Sequence, residues 1–569
     1  MTETLASLEK RRQELFNELT RLGDFRRGTI STSYRRCGKS NCACAKAEHP
    51  GHGPRYQWST TQKGKSRAQN LHLGPELVKV ETELSNYRRF EELSDELVSV
   101  SEQICRLRPV PEIKNEAELE RLKKNAAAEI QQEVAQELER LVDCLLRQTG
   151  VPDLEASELF IRRSVHKVGG MVLERVLNHH DGSAGIVKCD AGHEATFVDY
   201  RHKEITTVLG TIRLGRSYYY CGDCGKGVLP RDEQLDIVGT SFSPGVRRMM
   251  GRMGGKESFN EARCDIAEMA GIKVETKSVE RVAESIGCQL EVVGQRERTQ
   301  AMSENVVALK SVAKLYISID GTGVPVVKRE TAGRRGKGEN GEARTREAKL
   351  GCVFTQTTVD EKGRPQRDEA STTYVGAIEL AAEFGWRIYG EAERRGLRRA
   401  AEVIVIGDGA LWIWRLADEH FPGAIQIVDL YHAREHLTDL SKIIYGPAST
   451  KAGHWSSARI AQLDEGDVEA VLISMRRLRP SGTKAKEELR KTINYFENNT
   501  QRMRYRQFRQ QELFVGSGVV EAGCKTIVGR RLKQSGMHWS VRGANDIIAL
   551  RCVQLSGRWE EFWEMRAAG

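Results

Sequence analysis

Three acidic residues lie at positions where a carboxylate requires a compensating charge or hydrogen bond. Asp320 follows the apolar run "LYISI" and Asp408 follows "EVIVIG", so two predicted buried strands each end in an aspartate followed by glycine. A carboxylate is costly to bury at such a position without a compensating group. A third acid, Glu521, lies early on a predicted helix in "GSGVVEAGCK", with Lys525 one turn further along. The pattern predicts one site built from two strand ends and a helix.

Clustered carboxylates favour hard divalent cations such as Mg²⁺ or Mn²⁺, which prefer oxygen ligands. Two such ions activate a water or a 3′-hydroxyl and stabilise the leaving oxygen of an in-line phosphoryl displacement. The role expected of Asp320, Asp408 and Glu521 is therefore metal binding rather than proton transfer. The alternative is that both aspartates are turn residues, because Asp-Gly is also a turn signal. Spacing alone leaves both interpretations open.

Two clusters of cysteine and histidine predict Zn²⁺ sites. The stretch "CGKSNCACAKAEHPGH" offers five candidate ligands, which are Cys37, Cys42, Cys44, His49 and His52. The second cluster joins two ligand pairs across a predicted hairpin, as a zinc ribbon does. Its members are Cys189, His193, Cys221 and Cys224. Four protein ligands fill a tetrahedral site, so a structural role is expected. For the first cluster, a reduced Cys-rich loop is the alternative.

The composition indicates a chain of several domains. Its 569 residues exceed one compact core. No apolar run approaches the roughly 20 residues of a membrane helix. The N-terminal "MTETLASLEKRRQELFNEL" is an amphipathic charged helix rather than a signal peptide. We therefore expect a cytoplasmic protein without membrane contact, in which cysteines are thiols or metal ligands.

The elements that would position these groups follow from apolar periodicity. Two amphipathic helices flank the first Cys/His loop, as in a coiled-coil hairpin or a dimer seam. The sequence "KEITTVLGTIRLGRSYYYC" predicts a β-hairpin around Gly210. We expect a multidomain α+β protein. Its predicted segments are 1–110 (coiled coil and Cys/His loop), 111–180 (helical), 181–235 (zinc ribbon), 236–305 (helix-turn-helix-like), 310–440 with 513–569 (α/β core) and 441–512 (helical insertion).

Two regions suggest contact with nucleic acid. The stretch "ARCDIAEMAGIKVETKSVERVAESIG" predicts a helix, a break at Gly271 and a second helix, as in a helix-turn-helix. Lys277 and Arg281 would be exposed near the start of the second helix, although any antiparallel helix pair gives a similar pattern. Residues 501–535 contain eight Lys/Arg against two acids, which favours a polyanion. A solvated surface is the alternative.

From about residue 180 to the C-terminus, the chain resembles DDE transposases of bacterial insertion sequences. The motif order is closest to the ISKra-type and Mutator-like groups. The resemblance is carried by "YYYCGDCGKGVLPRDE", "SIDGTGVPV", "VIVIGDGALWIW", "VDLYHAREHL" and "GSGVVEAGCKTIVGRRLKQSGMHWS". It implies an RNase H-like catalytic core with an all-helical insertion before the last acid. It assigns Asp320, Asp408 and Glu521 as the catalytic triad.

The resemblance also draws attention to Asp429-x2-His432. Mutator-like relatives have an acid or a cysteine, two residues and then a histidine at this place. This implies that His432 contacts the scissile phosphate or a metal-bound water. The alternative is that Asp429 caps the helix that begins near Ala433. The resemblance covers the first 110 residues less well. Their expected function is dimerisation, DNA contact or both.

The combined prediction is a nucleoid-associated transposase. It would bind the terminal inverted repeats of its element and target DNA as a homodimer or larger assembly, with Mg²⁺ or Mn²⁺ at the acids and structural Zn²⁺. Beyond the helix-turn-helix, the expected DNA contacts are Lys525, Arg530, Arg531, Lys533 and Trp539. Core packing is the alternative for Trp539. The rival functions are an RNase H-like nuclease without strand transfer and a zinc-containing sequence-specific DNA-binding protein.

Overall fold

A computed structural model describes residues 4–62, 65–107, 116–147, 153–179, 187–303, 312–336 and 341–568. The predicted Pro-containing linker at 108–114 lies outside these residues. The chain divides between Ala127 and Ala128 into two compact units. Within the described ranges, no helix is both long and apolar enough to span a bilayer.

The first unit combines a helix pair with a small sheet. Its elements are α1 (Leu5–Thr20), β1 (Thr29–Arg35), β2 (His52–Gln62), β3 (Lys65–Leu71), α2 (Pro75–Leu107) and the first part of α3 (Glu116–Leu146). The predicted apolar stripes meet within the chain, because Leu8 and Leu15 of α1 pack with Leu93 of α2. Ion pairs Arg11–Glu96 and Arg89–Glu18, both at 2.7 Å, show that the two helices run antiparallel. The two helices thus form an antiparallel pair within the chain.

The three strands between these helices were not predicted. They form an antiparallel sheet in the order β1-β2-β3. One face of this sheet packs Ile30, Tyr56 and Trp58 against the first half of α2, including Leu77 and Val80. The Cys/His segment that the sequence presents as a loop is thus held at the end of a sheet.

The second unit begins with the rest of α3, which is followed by a helix, a four-stranded antiparallel sheet and four more helices. The elements are α4 (Leu154–His179), β4 (Val187–Lys188), β5 (Glu194–Thr207), β6 (Gly210–Cys221), β7 (Lys226–Val228), α5 (Pro230–Gln234), α6 (Pro244–Lys256), α7 (Phe259–Ala270) and α8 (Thr276–Ser303). The predicted hairpin turns at Gly210, whose φ of +112° suits glycine. The predicted helix break lies at Gly271, with φ +70°.

A five-stranded mixed sheet forms the centre of this unit. Its strands and helices are β8 (Val312–Pro325), β9 (Thr345–Gln356), β12 (Thr373–Ala377), α9 (Ala381–Arg394), β13 (Ala400–Gly407), α10 (Leu411–His420), β14 (Ile425–Val428) and α11 (Leu430–Tyr445), with a small ribbon of β10 (Thr358–Val359) and β11 (Pro365–Gln366) outside it. The order is β12-β9-β8-β13-β14. Strands β12, β9 and β8 are antiparallel neighbours, whereas β13 and β14 run parallel to β8.

Helices complete the unit. They are α12 (Thr450–Asp464), α13 (Val468–Arg476), α14 (Thr483–Asn499), α15 (Tyr505–Gln510), α16 (Gly518–Gly523), a π-helical turn (Cys524–Gly529), α17 (Arg530–Leu532), α18 (Val541–Leu555) and α19 (Trp559–Ala568). Helix α18 packs on β12 and α8. Helix α8 therefore packs largely in the core. Lys277 and Arg281, near its start, are exposed. The predicted mixed α/β multidomain class is confirmed.

Candidate functional site

The two aspartates are brought together by parallel pairing. Ile319 of β8 lies beside Gly407 of β13, so the next residues, Asp320 and Asp408, leave the parallel pair side by side. Asp408 directly follows its strand, as predicted. The prediction that Asp320 ends its strand is wrong, because β8 continues to Pro325 by pairing with β9. Asp320 instead lies within β8, beside the point where the neighbouring parallel strand β13 ends.

Burial and two neighbouring acids both act on the Asp320 carboxylate. Asp320 Oδ1 accepts the N–H of Gly321 at 2.7 Å, and Asp408 Oδ1 accepts the N–H of Ala410 at 2.9 Å. Burial raises the pKa of Asp320, and the charges of Asp408 and Glu521 raise it further, while the Cys524 thiol and the Gly321 N–H oppose the shift. The three predicted acids therefore share one electrostatic environment.

Glu521 reaches this site on a short helix that lies tightly against the sheet. A Cβ added to Gly523 would stand 2.7 Å from Cε1 of Tyr374 on β12. Lys525 Nζ donates to Glu521 Oε1 at 2.6 Å. The π-helical turn begins three residues after Glu521, and such turns are frequent at functional sites. Close packing thus fixes the backbone while the Glu521 side chain stays exposed.

Asp429 anchors the segment that delivers this helix. Its Oδ1 accepts the N–H of His432 at 2.7 Å, as the N-cap of α11, and its Oδ2 accepts the N–H of Ser517. The N–H of Leu430 also donates to the Val515 carbonyl at 2.9 Å. The helix-cap alternative for Asp429 is therefore confirmed, and Asp429 also ties down the chain four residues before Glu521. The catalytic role of His432 stays a prediction.

Tyr495 is a site residue that the sequence did not reveal. It lies on α14, and its hydroxyl donates to the main-chain carbonyl of Asp408 at 2.9 Å. Its ring covers Gly409, where φ is +101° and an added Cβ would stand 2.5 Å from Cε2 of the ring. The rings of His436 and Tyr495 lie 4.2 Å apart, and His432 lies 4.8 Å from His436. The helical insertion thus clamps the turn that carries Asp408.

The second Cys/His cluster has the geometry of a closed zinc site. Ligand atoms of Cys189, His193, Cys221 and Cys224 all lie within 4.8 Å of one another. Cys189 Sγ and Cys224 Sγ are 3.7 Å apart, and His193 Nδ1 is 3.1 Å from Cys224 Sγ. A tetrahedron with Zn–S bonds of about 2.3 Å has edges of about 3.8 Å. The four predicted ligands therefore fit Zn²⁺.

In the first cluster, the structure brings together four of the five candidate ligands. Cys37, Cys42, Cys44 and His52 gather within 4.8 Å, with Cys37 Sγ 3.5 Å from Cys44 Sγ and Cys42 Sγ 3.0 Å from His52 Nε2. His49 is not part of this group, and its Nδ1 accepts the N–H of Gly51 at 3.0 Å. Hydrogen bonds, led by the backbone N–H of Lys39, lower the pKa of Cys37 to about 6. The cluster is suited to a thiolate-binding metal.

We expect the purified chain to contain two Zn²⁺ ions, one for each cluster. Cys221→Ser should reduce the content to one, because a hydroxyl is a much poorer zinc ligand than a thiolate. Cys105→Ser is the matched control, since Cys105 is exposed and lies in neither cluster. Elemental analysis of dialysed protein measures the content. Two ions in Cys221→Ser would contradict the assignment.

The predicted DNA-contact residues divide into two groups. Lys277, Arg281, Lys525, Arg530 and Lys533 are exposed. Lys533 borders the acids, because its Nζ donates at 2.5 Å to Oγ1 of Thr322, two residues after Asp320.

Arg531 and Trp539 form the second group, and their assignment as DNA contacts is wrong. Arg531 is fully buried, and its guanidinium lies 4.4 Å from the Phe259 ring centroid and 5.0 Å from that of Trp539. Its Nε donates to the Gly254 carbonyl at 2.8 Å, and Trp539 Nε1 donates to the Leu532 carbonyl at 3.1 Å. Core packing, the alternative for Trp539, therefore holds for both residues.

Arg531→Ala is expected to lower the free energy of unfolding by about 2–4 kcal/mol, because it leaves a cavity and removes the stacked cation. Relief of a desolvated charge offsets part of this loss, since burial lowers the pKa of Arg531 to about 10. Arg530→Ala is the control, because Arg530 is exposed, and its effect should stay within about 0.5 kcal/mol. Denaturant unfolding measures both, and equal stabilities would refute the structural role.

Two family models match parts of this chain. A model described as an uncharacterised protein family (UPF0236) matches residues 151–337 and 391–566, which is more than half of the chain. The chain belongs to the UPF0236 family. The UPF0236 region contains Asp320, Asp408, Glu521 and the second Cys/His cluster. A separate model, described as a domain of unknown function (DUF6788), matches residues 5–81, which contain the first cluster.

Among solved structures, the chain is similar to the Drosophila P element transposase strand transfer complex. The match has 9% sequence identity and a TM-score of 0.21, and it covers 59% of this chain and 84% of that chain. No curated protein matches the chain in sequence.

Proposed function

We propose that the chain is a DDE-type transposase that cleaves and joins DNA strands through metal-dependent phosphoryl transfer. The observation that carries the proposal is the parallel register of β8 and β13, which sets Asp320 beside Asp408. Glu521 is close enough to raise the pKa of Asp320. Two neighbouring strands and one returning helix thus supply three acids to one place.

The sheet around these acids supports an RNase H-like core. Numbered by appearance in the chain, its five strands have the order 3-2-1-4-5, with the second antiparallel to the first and the fourth and fifth parallel to it. Four helices, α12 to α15, then separate α11 from the helix of Glu521. Both features are those implied by the resemblance to DDE transposases of insertion sequences.

The three acids fit a divalent metal by charge and by ligand type. Their oxygens suit Mg²⁺ or Mn²⁺. Burial is the main cause of the raised pKa of Asp320, and the negative charges of Asp408 and Glu521, which a cation would balance, add to it. Within the described residues, ligand atoms gather within 4.8 Å only in the two Cys/His clusters, so the acids are further apart than a closed cage. Bound metal supplies Lewis acidity to a phosphate oxygen and to the attacking hydroxyl.

The surrounding residues would hold the DNA and the acids in place. Exposed Arg530 and Lys533 lie beyond Glu521 on the same stretch of chain and can bind backbone phosphates. Lys525 restricts the side chain of Glu521 through their ion pair. Tyr495 and Asp429 act as positioning residues, the first on the Asp408 turn and the second on the segment before Glu521.

The test is a strand-transfer reaction with the complete chain. A duplex carrying the inverted-repeat ends of the element is incubated with a labelled target duplex and Mg²⁺. We expect cleavage at the element ends and covalent joining to the target, both stopped when Mg²⁺ is omitted. Cleavage without joining would indicate a nuclease. Binding without cleavage would indicate a DNA-binding regulator.

A further inference from the structure

The small sheet of the first unit has one face that packing leaves free within that unit. Tyr56 and Trp58 of β2 point toward α2. Because side chains alternate along a strand, Gln57 and Ser59 point to the opposite, outer face. By register, Ser31 of β1 pairs with Gln57, and Asn70 of β3 pairs with it from the other side. The outer face is therefore built from short hydroxyl and amide side chains, which suit a polar partner.

The sheet and its Cys/His loop are strongly basic. Residues 25–72 contain ten Lys/Arg and one acid, Glu48. Arg35, Lys39, Lys46, Arg55 and Arg67 are all exposed. Among the described residues, none of these five forms a salt bridge with a carboxylate, which distinguishes them from Arg11 and Arg89 on the helix pair. The positive charge of this region is thus left for an external anion.

The first Cys/His cluster orders the loop that carries two of these cations. Cys37 follows β1 and His52 begins β2, so the cluster closes one end of the sheet. Lys39 and Lys46 lie between the ligands of the cluster. The guanidinium of Arg36 donates to the Ala47 carbonyl at 3.0 Å, which joins the two arms of the loop. A cation on an ordered backbone loses less conformational entropy on binding than one on a free loop.

We propose that the outer face of the β1-β2-β3 sheet, with the adjoining Cys/His loop, is a binding surface for duplex DNA. Arg35 and Arg55 contact backbone phosphates from the strands, and Lys39 and Lys46 do so from the loop. Arg67 pairs with Thr60, so it lies on the same face as Trp58 and takes no part. The short polar side chains between them let the backbone approach closely. The choice of duplex DNA as the polyanion rests on the proposed function. The basic charge, the absence of salt-bridge partners and the polar face do not depend on it.

The experiment measures binding of the complete chain to a fluorescent duplex of about 30 base pairs and arbitrary sequence, without added Mg²⁺, across a series of salt concentrations. The test variant combines Arg35→Ala, Lys46→Ala and Arg55→Ala. Each lost phosphate contact should reduce the slope of log K against log salt by about 1. We expect the total slope to fall by about 2–3 and the affinity near 0.1 M salt to fall at least about tenfold.

The matched control removes the same charge from the helix pair through Lys10→Ala, Arg88→Ala and Arg106→Ala, all at exposed positions. A charge-retaining triple of Arg35→Lys, Lys46→Arg and Arg55→Lys should keep most of the slope. Zinc content and thermal unfolding verify that every variant is folded. The proposal is overturned if the test triple binds like wild type, if both alanine triples lose affinity equally, or if RNA displaces the chain more readily than duplex DNA.

Strand transfer by the wild-type chain is assayed separately. If the test triple loses DNA affinity but wild type does not cleave, the surface stands and the proposed function fails. If wild type cleaves while the test triple binds normally, the proposed function stands and the surface fails.

Discussion

Asp408→Asn is expected to abolish DNA cleavage while leaving the chain folded and able to bind DNA. Asparagine keeps the size of the side chain and an oxygen that can still accept the Ala410 N–H. It removes the negative charge with which Asp408 would bind metal beside Asp320. Loss of several kcal/mol of metal-dependent stabilisation corresponds to at least about a 1000-fold lower cleavage rate.

The measurement compares initial cleavage rates on duplexes carrying the element ends, with binding measured in parallel. Asp439→Asn is the matched control, because this exposed aspartate pairs only with Lys442 on its own helix among the contacts described. We expect it to cleave like wild type. An Asp408→Asn protein that cleaves at the normal rate would show that the metal-binding acids lie elsewhere. Asp429 would be a poor substitute, since both of its oxygens already accept backbone N–H groups.

Gly409→Ala should lower the cleavage rate about 100-fold, because displacement of a reactive group by about 1 Å can have an effect of that size. The new methyl group would meet the Tyr495 ring at 2.5 Å on a backbone with φ +101°. Either the ring or the turn must move, and the turn carries Asp408. Tyr495→Phe, which keeps the ring and removes the hydrogen bond to the Asp408 carbonyl, should have a smaller effect of about tenfold.

Gly423→Ala separates steric displacement from backbone strain. Gly423 also has a positive φ, +82°, but nothing lies within 4 Å of an added Cβ. We expect a small loss of stability and a normal cleavage rate from this variant. If Gly409→Ala and Gly423→Ala had equal cleavage rates, contact between the insertion and the Asp408 turn would not matter for activity.

The sequence predicts those parts of the site that depend on local patterns. Apolar runs ending near an aspartate located Asp320 and Asp408, because a buried parallel sheet needs continuous apolar strands. Ligand spacing located the Cys/His clusters for a similar reason, since tight turns bring nearby ligands together. The charge and periodicity of 441–512 predicted helices, and α12 to α15 lie there.

The remaining features depend on partners that are distant in the sequence. In strand β1, "TISTSYR", every residue except Ile30 is exposed, so the strand lacks the apolar alternation by which a strand is recognised. Arg531 in a basic helix resembles a surface residue until Phe259 is found against it. Tyr495 lies 87 residues from Asp408, on a charged helix, and its hydrogen bond appears only after the fold has formed.

The path of the chain through the sheet also determines when an active site arises during synthesis. A ribosome completes β8, β13 and β14 long before it makes Glu521. The segment that delivers Glu521 then returns to β8, where the N–H of Phe514 donates to the Tyr316 hydroxyl across 198 residues. Under the proposed function, a translation product that stops before residue 513 would retain the basic N-terminal sheet but lack the third acid. Such a fragment would occupy DNA without cutting it and so restrain the complete enzyme.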